Sequence, residues 1–468
     1  MVVSGNASEA FSRAIREIAR RIGGEKVLTD PEDLIPYSID ASKRFEGAPW
    51  AVVRVNSTED VAAVLEVADR ERIPVIPRGS ASCLTGAVVA KRGGIVIDLL
   101  PMNRVEVYPE DMVVMAEAGA TVQKVDEECR RHGLMFPPDP ASSKVATVGG
   151  ALAENAGGIR GAKYGVMKNW LLALEVVLPG GRVLRVGEPT LKWRWGPDLT
   201  GLFVGSEGWL GVITRAWFKV IPAPERVVRV VGVFPDMESA GRAAADIRAS
   251  GILPLGLEIM NAETLRAVSR ATGIDLPQEG AMLIADVDGP REAISRLAES
   301  VAECMRRAGG EVTLSDDPEE MERLYLARKM AYASLTRLYK AVEIEDITVP
   351  LSRFPEALRR IDELAKRYGL PLPTFGHAGD GNVHPTICYD PDDEEQVRKA
   401  RRLAEEICDV AIELGGAVSG EHGIGIQKIE ALRRELRARG AEHYLDLLRE
   451  IKRILDPNNI MNPGNFGL

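Results

Sequence analysis

Apolar and polar positions repeat with two different periods in the first part of the chain. Residues 8–21 repeat apolar side chains at helical spacing, whereas residues 51–55 and 73–77 are short apolar runs typical of buried strands. A helix over 59–71, preceded by a capping sequence, joins these two strands into a predicted β-α-β unit. Further strands are predicted at 94–98, 113–117, 174–178, 182–186 and 212–214, and a helix near 121–132.

The pattern changes after residues 222–224, where two prolines flank an alanine. Strands and helices then become longer and follow the order β-α-β…β-α-β, which resembles a ferredoxin-like half-sheet module. The predicted strands are 227–234, 253–260 and 281–287, and the predicted helices are 237–249, 291–308, 317–340, 354–367, 394–414 and 440–455. The pattern therefore predicts an α+β protein with a domain boundary near residue 223.

Glycine-rich segments interrupt the first half of the chain. Residues 78–86 combine glycine with serine and threonine directly after a predicted strand, which is typical of a nest of backbone N–H groups that binds an anion. The segment has neither a P-loop lysine nor the G-x-G-x-x-G pattern of a Rossmann site, and an ordinary strand-to-helix connection stays open. Residues 137–165 and 205–211 are also too rich in glycine and proline for continuous regular structure, and long irregular segments are most often functional.

Three of the five histidines lie in two short glycine-rich runs near the end of the chain. Asp380-Gly381 predicts a two-residue type I′ hairpin, which would place His377 directly opposite His384 with Cβ atoms about 5 Å apart. The second run contains Glu421 and His422. Two imidazoles and a carboxylate form a ligand set for a borderline metal ion with open positions for substrate. A shared metal site, a proton-transfer site and structural histidines remain open on spacing alone.

Composition and charge limit the classes of function that the chain can have. The length of 468 residues predicts two to four domains at about 150 residues each. A net charge of −10 argues against nucleic acid as a partner. No apolar run is long enough to span a membrane and no export signal is visible, so a cytoplasmic location is expected. The five cysteines are far apart, so the chain has no ligand set for an iron–sulfur cluster and its electrons would leave to another molecule.

Taken together, these runs resemble one family over about residues 30–465. It is the FAD-linked oxidases and dehydrogenases of the vanillyl-alcohol oxidase / para-cresol methylhydroxylase (PCMH) superfamily, in the branch of D-lactate dehydrogenase, the flavin subunit of glycolate oxidase and D-2-hydroxyglutarate dehydrogenase. The resemblance is carried by residues 77–86, 138–143, 164–165, 205–208, 376–384, 420–425 and 462–464.

The resemblance implies a PCMH-type FAD-binding domain of two α/β subdomains (1–223), a ferredoxin-like cap domain (224–415) and a C-terminal segment that returns to the FAD domain (416–468). FAD is expected to be non-covalent, because the first loop has no histidine; Cys83 is the alternative attachment point. Trp209 replaces the small threonine that the family usually has near the flavin. The implied cofactor-binding residues are Pro77, Arg78, Gly79, Ser80, Ala81, Ser82, Thr85, Gly86, Pro138, Asp139, Ser142, Thr147, Gly149, Gly150, Asn155, Gly158, Tyr164, Gly165, Glu207, Gly208, Gly211, Ile213 and Asn462.

The resemblance also assigns roles near the chain's end. It implies that His377, His384 and Glu421 bind a divalent metal, Zn²⁺ or Mn²⁺, and that His422 accepts the hydroxyl proton of the substrate. Arg328 matches the arginine that binds the substrate carboxylate. The remaining predicted substrate-binding residues are Asn382, which alternatively stabilises its turn, and Thr386.

The predicted function is oxidation of a D-2-hydroxy acid to the 2-oxo acid, with hydride transfer to flavin N5. The electron acceptor is predicted to be a quinone, a cytochrome, an electron-transfer flavoprotein or an iron–sulfur subunit rather than NAD. A homodimer, and attachment to the inner face of a membrane through a partner, are compatible with this reading. The alternatives are a non-catalytic FAD-holding subunit of an electron-transfer complex, which would not need the His and Glu set, and a metal-dependent hydrolase, which would leave the glycine-rich first half without a role.

Overall fold

The computed structural model describes residues 5–468, with side chains from residue 9 onward. The chain forms two compact units. The first contains the residues up to Ala156, together with Val166–Ala223 and His422–Leu468, and the second contains Gly157–Gly165 and Pro224–Glu421. Two segments therefore differ from the predicted domain ranges: 157–165 and 416–421 both belong to the second unit.

The strands of the described chain are two to nine residues long, and the two nine-residue strands both belong to the second unit. They are β1 (Val27–Leu28), β2 (Ala51–Arg54), β3 (Val75–Arg78), β4 (Ile95–Asp98), β5 (Val105–Tyr108), β6 (Val113–Glu117), β7 (Leu134–Met135), β8 (Leu171–Leu178), β9 (Arg182–Gly187), β10 (Val212–Lys219), β11 (Ile221–Pro222), β12 (Arg226–Phe234), β13 (Gly256–Asn261), β14 (Ala281–Gly289), β15 (Glu311–Ser315), β16 (Ala341–Ile344), β17 (Ile347–Thr348), β18 (Thr374–His377) and β19 (Asn382–Tyr389).

The α-helices connect these strands. They are α1 (Gly5–Ile22), α2 (Pro31–Leu34), α3 (Thr58–Glu71), α4 (Val122–Arg130), α5 (Val148–Glu154), α6 (Gly161–Tyr164), α7 (Thr200–Phe203), α8 (Met237–Ala249), α9 (Ala262–Thr272), α10 (Arg291–Arg307), α11 (Pro318–Lys329), α12 (Ala331–Leu338), α13 (Phe354–Tyr368), α14 (Glu394–Glu413), α15 (Ile429–Ala438) and α16 (His443–Leu455). Among the described helices, none is both long and apolar enough to cross a lipid bilayer.

The first unit contains two principal sheets. The predicted β-α-β unit is present as β2, α3 and β3, and β4 lies between the two strands in the order β1-β2-β4-β3. Ser57 caps α3 by accepting a hydrogen bond from the amide of Asp60, as the capping sequence predicts. The second sheet is antiparallel, in the order β5-β6-β10-β8-β9. Residues 79–86 follow β3 of the first sheet and residues 205–211 precede β10 of the second, so each of these two glycine-rich segments is joined directly to a sheet strand.

The second unit is built on one eight-stranded sheet, in the order β15-β12-β14-β13-β18-β19-β16, with β17 paired to β19. Its first four strands lie in the spatial order fourth-first-third-second and are all antiparallel to their neighbours, with α8 and α10 as crossover helices. This arrangement confirms the ferredoxin-like prediction. The sheet continues through β13 into β18, so the histidine hairpin is an extension of the ferredoxin-like module.

One long predicted helix is divided in the structure. The pattern predicts a helix over 317–340, whereas α11 ends at Lys329 and α12 begins at Ala331. Met330 lies between them with φ −83° and ψ −2°, which is outside the regular helical geometry. The division places Arg328 in the last turn of α11.

Candidate active site

The hairpin that carries the two histidines has a longer loop than predicted. β18 ends at His377 and β19 begins at Asn382, so residues 378–381 form the loop. Of these four residues only Gly381 has a positive φ, 81°, whereas a type I′ turn requires positive φ at Asp380 as well. The prediction of a two-residue turn was therefore wrong.

Neighbouring backbone explains the longer loop. The amide of Gly379 donates to the carbonyl of Leu257 on β13 at 3.2 Å, and the amide of Val349 donates to the carbonyl of Gly381 at 3.0 Å. These bonds hold both ends of the loop open against adjacent strands. A tight turn would satisfy neither of them.

The register of the hairpin is shifted accordingly. His377 pairs with Asn382 and His384 pairs with Phe375, so the two histidines are diagonal neighbours rather than direct partners. Because the shift is by two residues, both imidazoles still lie on the same face of the sheet. Their ring centroids are 5.3 Å apart and their planes meet at 84°.

Glu421 lies against both imidazoles. Its Oε1 is 3.1 Å from Nε2 of His377 and 3.3 Å from Nε2 of His384. One donor atom from each of the three residues lies within 4.8 Å of the others, which fits a single ion. Two imidazoles and a carboxylate leave coordination positions open. The structure thus brings together the three predicted metal ligands.

Electrostatics in this cluster favour a positive charge. Burial by itself lowers the pKa of His377, but the carboxylates of Glu258 and Glu421 outweigh it and hold that pKa well above its usual value. Burial likewise raises the pKa of Glu421, but His377 and His384 outweigh it and hold that pKa well below its usual value. A divalent ion supplies such a positive charge.

Asp346 positions the backbone of Glu421 and was missed by sequence reasoning. Its Oδ2 accepts hydrogen bonds from the hydroxyl of Ser419 at 2.8 Å and from the amides of Gly420 and Glu421, each at 2.9 Å. Its Oδ1 accepts from Nδ2 of Asn382 at 2.7 Å. The carboxylate is fully buried. Its signal in the sequence is weak, because it follows β16 without any distinctive motif.

Asn382 and Thr386, the two further residues predicted to bind substrate, make side-chain hydrogen bonds within the chain. Besides Asp346, Nδ2 of Asn382 donates to the carbonyl of Ile347 at 2.9 Å, which agrees with a structural role at the hairpin. The hydroxyl of Thr386 is fully buried and donates to the carbonyl of His384 at 3.1 Å. Their contact with substrate stays a prediction.

Glu258, on β13, was also not predicted as a site residue from the sequence. Its Oε1 lies 2.7 Å from Nδ1 of His377, and its Oε2 lies 2.7 Å from Nε of Arg328. The Arg328 guanidinium also covers the ring of Phe375 at 5.0 Å. The predicted substrate arginine is therefore buried and oriented, and no acceptor among residues 9–468 takes a hydrogen bond from its Nη nitrogens.

The predicted anion-binding loop of the first unit has the features of a nest. The backbone amides of residues 79–82 donate no hydrogen bond to any part of the chain that the structure describes. Ala81 has φ 58°, a left-handed conformation that turns successive amides toward one side. A Cβ at Gly79 would lie 2.1 Å from the hydroxyl of Thr147, so only glycine fits there. These are the features of an anion-binding nest, and the binding of the FAD pyrophosphate here stays a prediction.

Glu207 holds the C-terminal segment to the rest of the first unit. Its carboxylate accepts hydrogen bonds from the amides of Ile424 at 2.7 Å and Gly425 at 2.8 Å, and from Nδ2 of Asn465 at 2.9 Å. Asn462 donates to the Glu207 carbonyl at 2.8 Å. Burial raises the pKa of Glu207 to about 7, although these donors oppose the shift. The side chains of Glu207 and Asn462, both predicted to bind FAD, thus make contacts within the chain.

The other predicted residues are divided between the units. Thr85 donates to the carbonyl of His422 at 3.3 Å within the first unit. Trp209 is buried there, with its ring 6.3 Å from that of Phe466. Gly158, Tyr164 and Gly165 lie in the second unit, unlike the remaining predicted cofactor residues. The hydroxyl of Tyr164 donates to the carboxylate of Asp288 at 2.9 Å.

Solved structures establish the class of fold. The chain is similar to p-cresol methylhydroxylase, with a TM-score of 0.80, 20% identity and coverage of 98% of this chain and 97% of that chain. It is also similar to 4-ethylphenol oxidase from Gulosibacter chungangensis, with a TM-score of 0.77, 20% identity and coverage of 100% and 99%. The fold is therefore that of the PCMH-type flavin oxidases, as predicted.

Sequence comparisons establish the family. The description "FAD binding domain" matches residues 49–187, and "FAD linked oxidases, C-terminal domain" matches residues 223–466. The chain is 36% identical to the glycolate oxidase subunit GlcD of Bacillus subtilis, over 97% of each chain. It is also 36% identical to the D-lactate dehydrogenase of Archaeoglobus fulgidus, over 89% of this chain and 90% of that one. The chain belongs to the FAD-linked oxidase family and is an FAD-dependent oxidoreductase.

Proposed function

We propose that this protein oxidises a D-2-hydroxy acid, of the D-lactate, glycolate or D-2-hydroxyglutarate type, to the corresponding 2-oxo acid. The observation that carries the proposal is the convergence of His377, His384 and Glu421, with the buried Arg328 joined to His377 through Glu258. The names of the relatives support the same substrate class.

Each side chain has a stated role in this proposal. His377, His384 and Glu421 would hold a divalent ion, Zn²⁺ or Mn²⁺, which would lower the pKa of a coordinated hydroxyl group. Arg328 binds the substrate carboxylate through its Nη nitrogens, for which a planar guanidinium is well shaped. His422 accepts the hydroxyl proton as a general base. Residues 79–82 and the neighbouring loops would hold FAD without a covalent bond, and the bound flavin would supply the hydride acceptor.

The electrons leave to a separate acceptor. The five cysteines lie far apart in the sequence, and no cysteine joins a metal-ligand group in the described part of the chain. A quinone, a cytochrome, an electron-transfer flavoprotein or an iron–sulfur subunit would serve. A non-catalytic FAD-holding subunit would not need the buried ligand set, which favours the enzyme over this alternative.

The proposal is tested by mixing the purified protein with single hydroxy acids in the absence of oxygen. Protein reconstituted with FAD should be yellow, and D-lactate, glycolate or D-2-hydroxyglutarate should bleach the flavin band. L-lactate should bleach it far more slowly, since its hydrogen and hydroxyl exchange places at the reacting carbon. Protein that takes up no FAD, or flavin that no member of the panel reduces, would contradict the proposal.

His422→Ala should lower the rate of this bleaching by about a hundredfold or more, the usual contribution of a general base. Flavin content should stay at the wild-type level. His443→Ala is the matched control, because it makes the same change at a fully exposed side chain of α16. Equal rates in His422→Ala and the wild type would remove His422 from the chemistry.

A further inference from the structure

We propose that Glu258 is a positioning residue that orients the metal-binding histidine and the substrate-binding arginine together. This inference rests on the proposed function and adds a residue that neither the motifs nor the family resemblance indicated. One carboxylate oxygen contacts Nδ1 of His377 and the other contacts Nε of Arg328, each at 2.7 Å. A single side chain thus joins the two parts of the site that are expected to hold the same substrate.

The sheet explains how Glu258 reaches His377. β13 and β18 are antiparallel, and Glu258 is the direct cross-strand partner of His377. Cβ atoms of such partners are about 5 Å apart, and their side chains share one face. Glu258 and His377 are both 3% exposed. The contact is therefore built into the register of the sheet and is shielded from solvent.

The contact determines which nitrogen of His377 is available to a metal. A proton on Nδ1 is placed to donate to Glu258, which would leave the lone pair of Nε2, 3.1 Å from Oε1 of Glu421, for a bound ion. A carboxylate behind a ligating histidine fixes the ring orientation and makes the imidazole a better ligand. Glu258 therefore supports the ion through His377.

The second contact orients Arg328. Its Nε lies 2.7 Å from Oε2 of Glu258, as an ion pair without the geometry of a hydrogen bond, and its guanidinium lies over Phe375, two residues before His377 on the same strand. The Nη nitrogens remain for a carboxylate, as recognition by a planar fork requires. Loss of Glu258 should therefore weaken metal binding and substrate binding at once.

A matched pair of variants of the FAD-loaded protein tests the inference. Glu258→Gln removes the negative charge with little change in shape. Asp286→Asn makes the equivalent change on the adjacent strand β14, where Asp286 forms a buried bidentate pair with Arg229, two bonds of 2.6 Å. Both variants leave a buried arginine without its carboxylate, so their general structural costs are comparable. Only Glu258→Gln touches His377.

Zn²⁺ affinity is measured by competition with a chromophoric chelator, without substrate. It should fall about 10- to 100-fold in Glu258→Gln, as expected for loss of a residue that supports a metal ligand, and change less than about twofold in Asp286→Asn. The KM for the hydroxy acid should rise in Glu258→Gln only. Unchanged Zn²⁺ affinity and KM in Glu258→Gln, or an equal loss in both variants, would overturn the inference.

A measurement on the wild type covers the case in which Glu258→Gln does not fold. Imidazole ¹⁵N spectra of the Zn²⁺-loaded protein should show His377 protonated at Nδ1 and bound to the metal through Nε2. Protonation at Nε2 would overturn the inference. Failure of the proposed function is distinguished by the wild type itself, which would then bind no Zn²⁺ or reduce no flavin with any hydroxy acid.

Discussion

Glu421→Gln is expected to lower the rate of flavin reduction by a hydroxy acid about a thousandfold and to leave the flavin bound. Glu421 supplies the only carboxylate oxygen that contacts both imidazoles among the described residues. Metal activation of a hydroxyl group contributes several kcal/mol, and about 1.4 kcal/mol corresponds to a factor of ten in rate. The amide of Glu421 still donates to Asp346 in the variant, so the backbone should keep its place.

Anaerobic stopped-flow absorbance measures this effect directly. A chelator should slow the wild type to a similar extent, Zn²⁺ or Mn²⁺ should restore it, and neither addition should alter Glu421→Gln. Glu413→Gln is the control, because it removes a carboxylate from the exposed end of α14 and leaves the site intact. If the wild type is insensitive to chelation and holds no stoichiometric metal, His377 and His384 act without an ion.

Local pattern was enough to predict most elements and their approximate bounds. The helix at 237–249 and three of the four strands of the ferredoxin-like module could be predicted because each has its own period and boundary residues, whereas β15 was not predicted. The predicted hairpin turn was wrong because it rested on Asp380-Gly381 alone, which is a strong local turn signal. Hydrogen bonds of Gly379 to Leu257 and of Val349 to Gly381 favour the longer loop instead. The shift by two residues preserved the face of each histidine, so the ligand set could be predicted despite the incorrect register.

The residues that support the ligands could not be predicted in the same way. Glu258 lies 119 residues before His377, and Asp346 lies 75 residues before Glu421. Neither has glycine-rich surroundings or a spacing that marks chemistry. Their role depends on sheet order and register, which place distant strands side by side. A sequence motif shows the groups that meet a ligand, whereas tertiary contacts determine how rigidly these groups are held.

Asp346→Asn should destabilise the second unit by about 3 kcal/mol, because a buried carboxylate with several donors loses charge-assisted hydrogen bonds. Four donors point at its two oxygens: Nδ2 of Asn382, the hydroxyl of Ser419 and the amides of Gly420 and Glu421. An asparagine replaces one acceptor with an NH₂ group, which must face a donor. The backbone of Glu421 should then be released even where the unit stays folded.

Hydrogen exchange read by mass spectrometry separates this local effect from general destabilisation. Peptides that cover residues 416–425 should exchange much faster in Asp346→Asn under native conditions, while peptides of the distal strands β12 and β14 change less. Asp236→Asn is the control: Asp236 caps α8 by accepting from the amide of Ser239 at 2.7 Å, and asparagine caps a helix about as well as aspartate. It should therefore leave both stability and exchange nearly unchanged. Wild-type exchange at 416–425 in Asp346→Asn would show that the Glu421 turn is held by its own glycines, and Asp346 would then have no part in positioning the ligand.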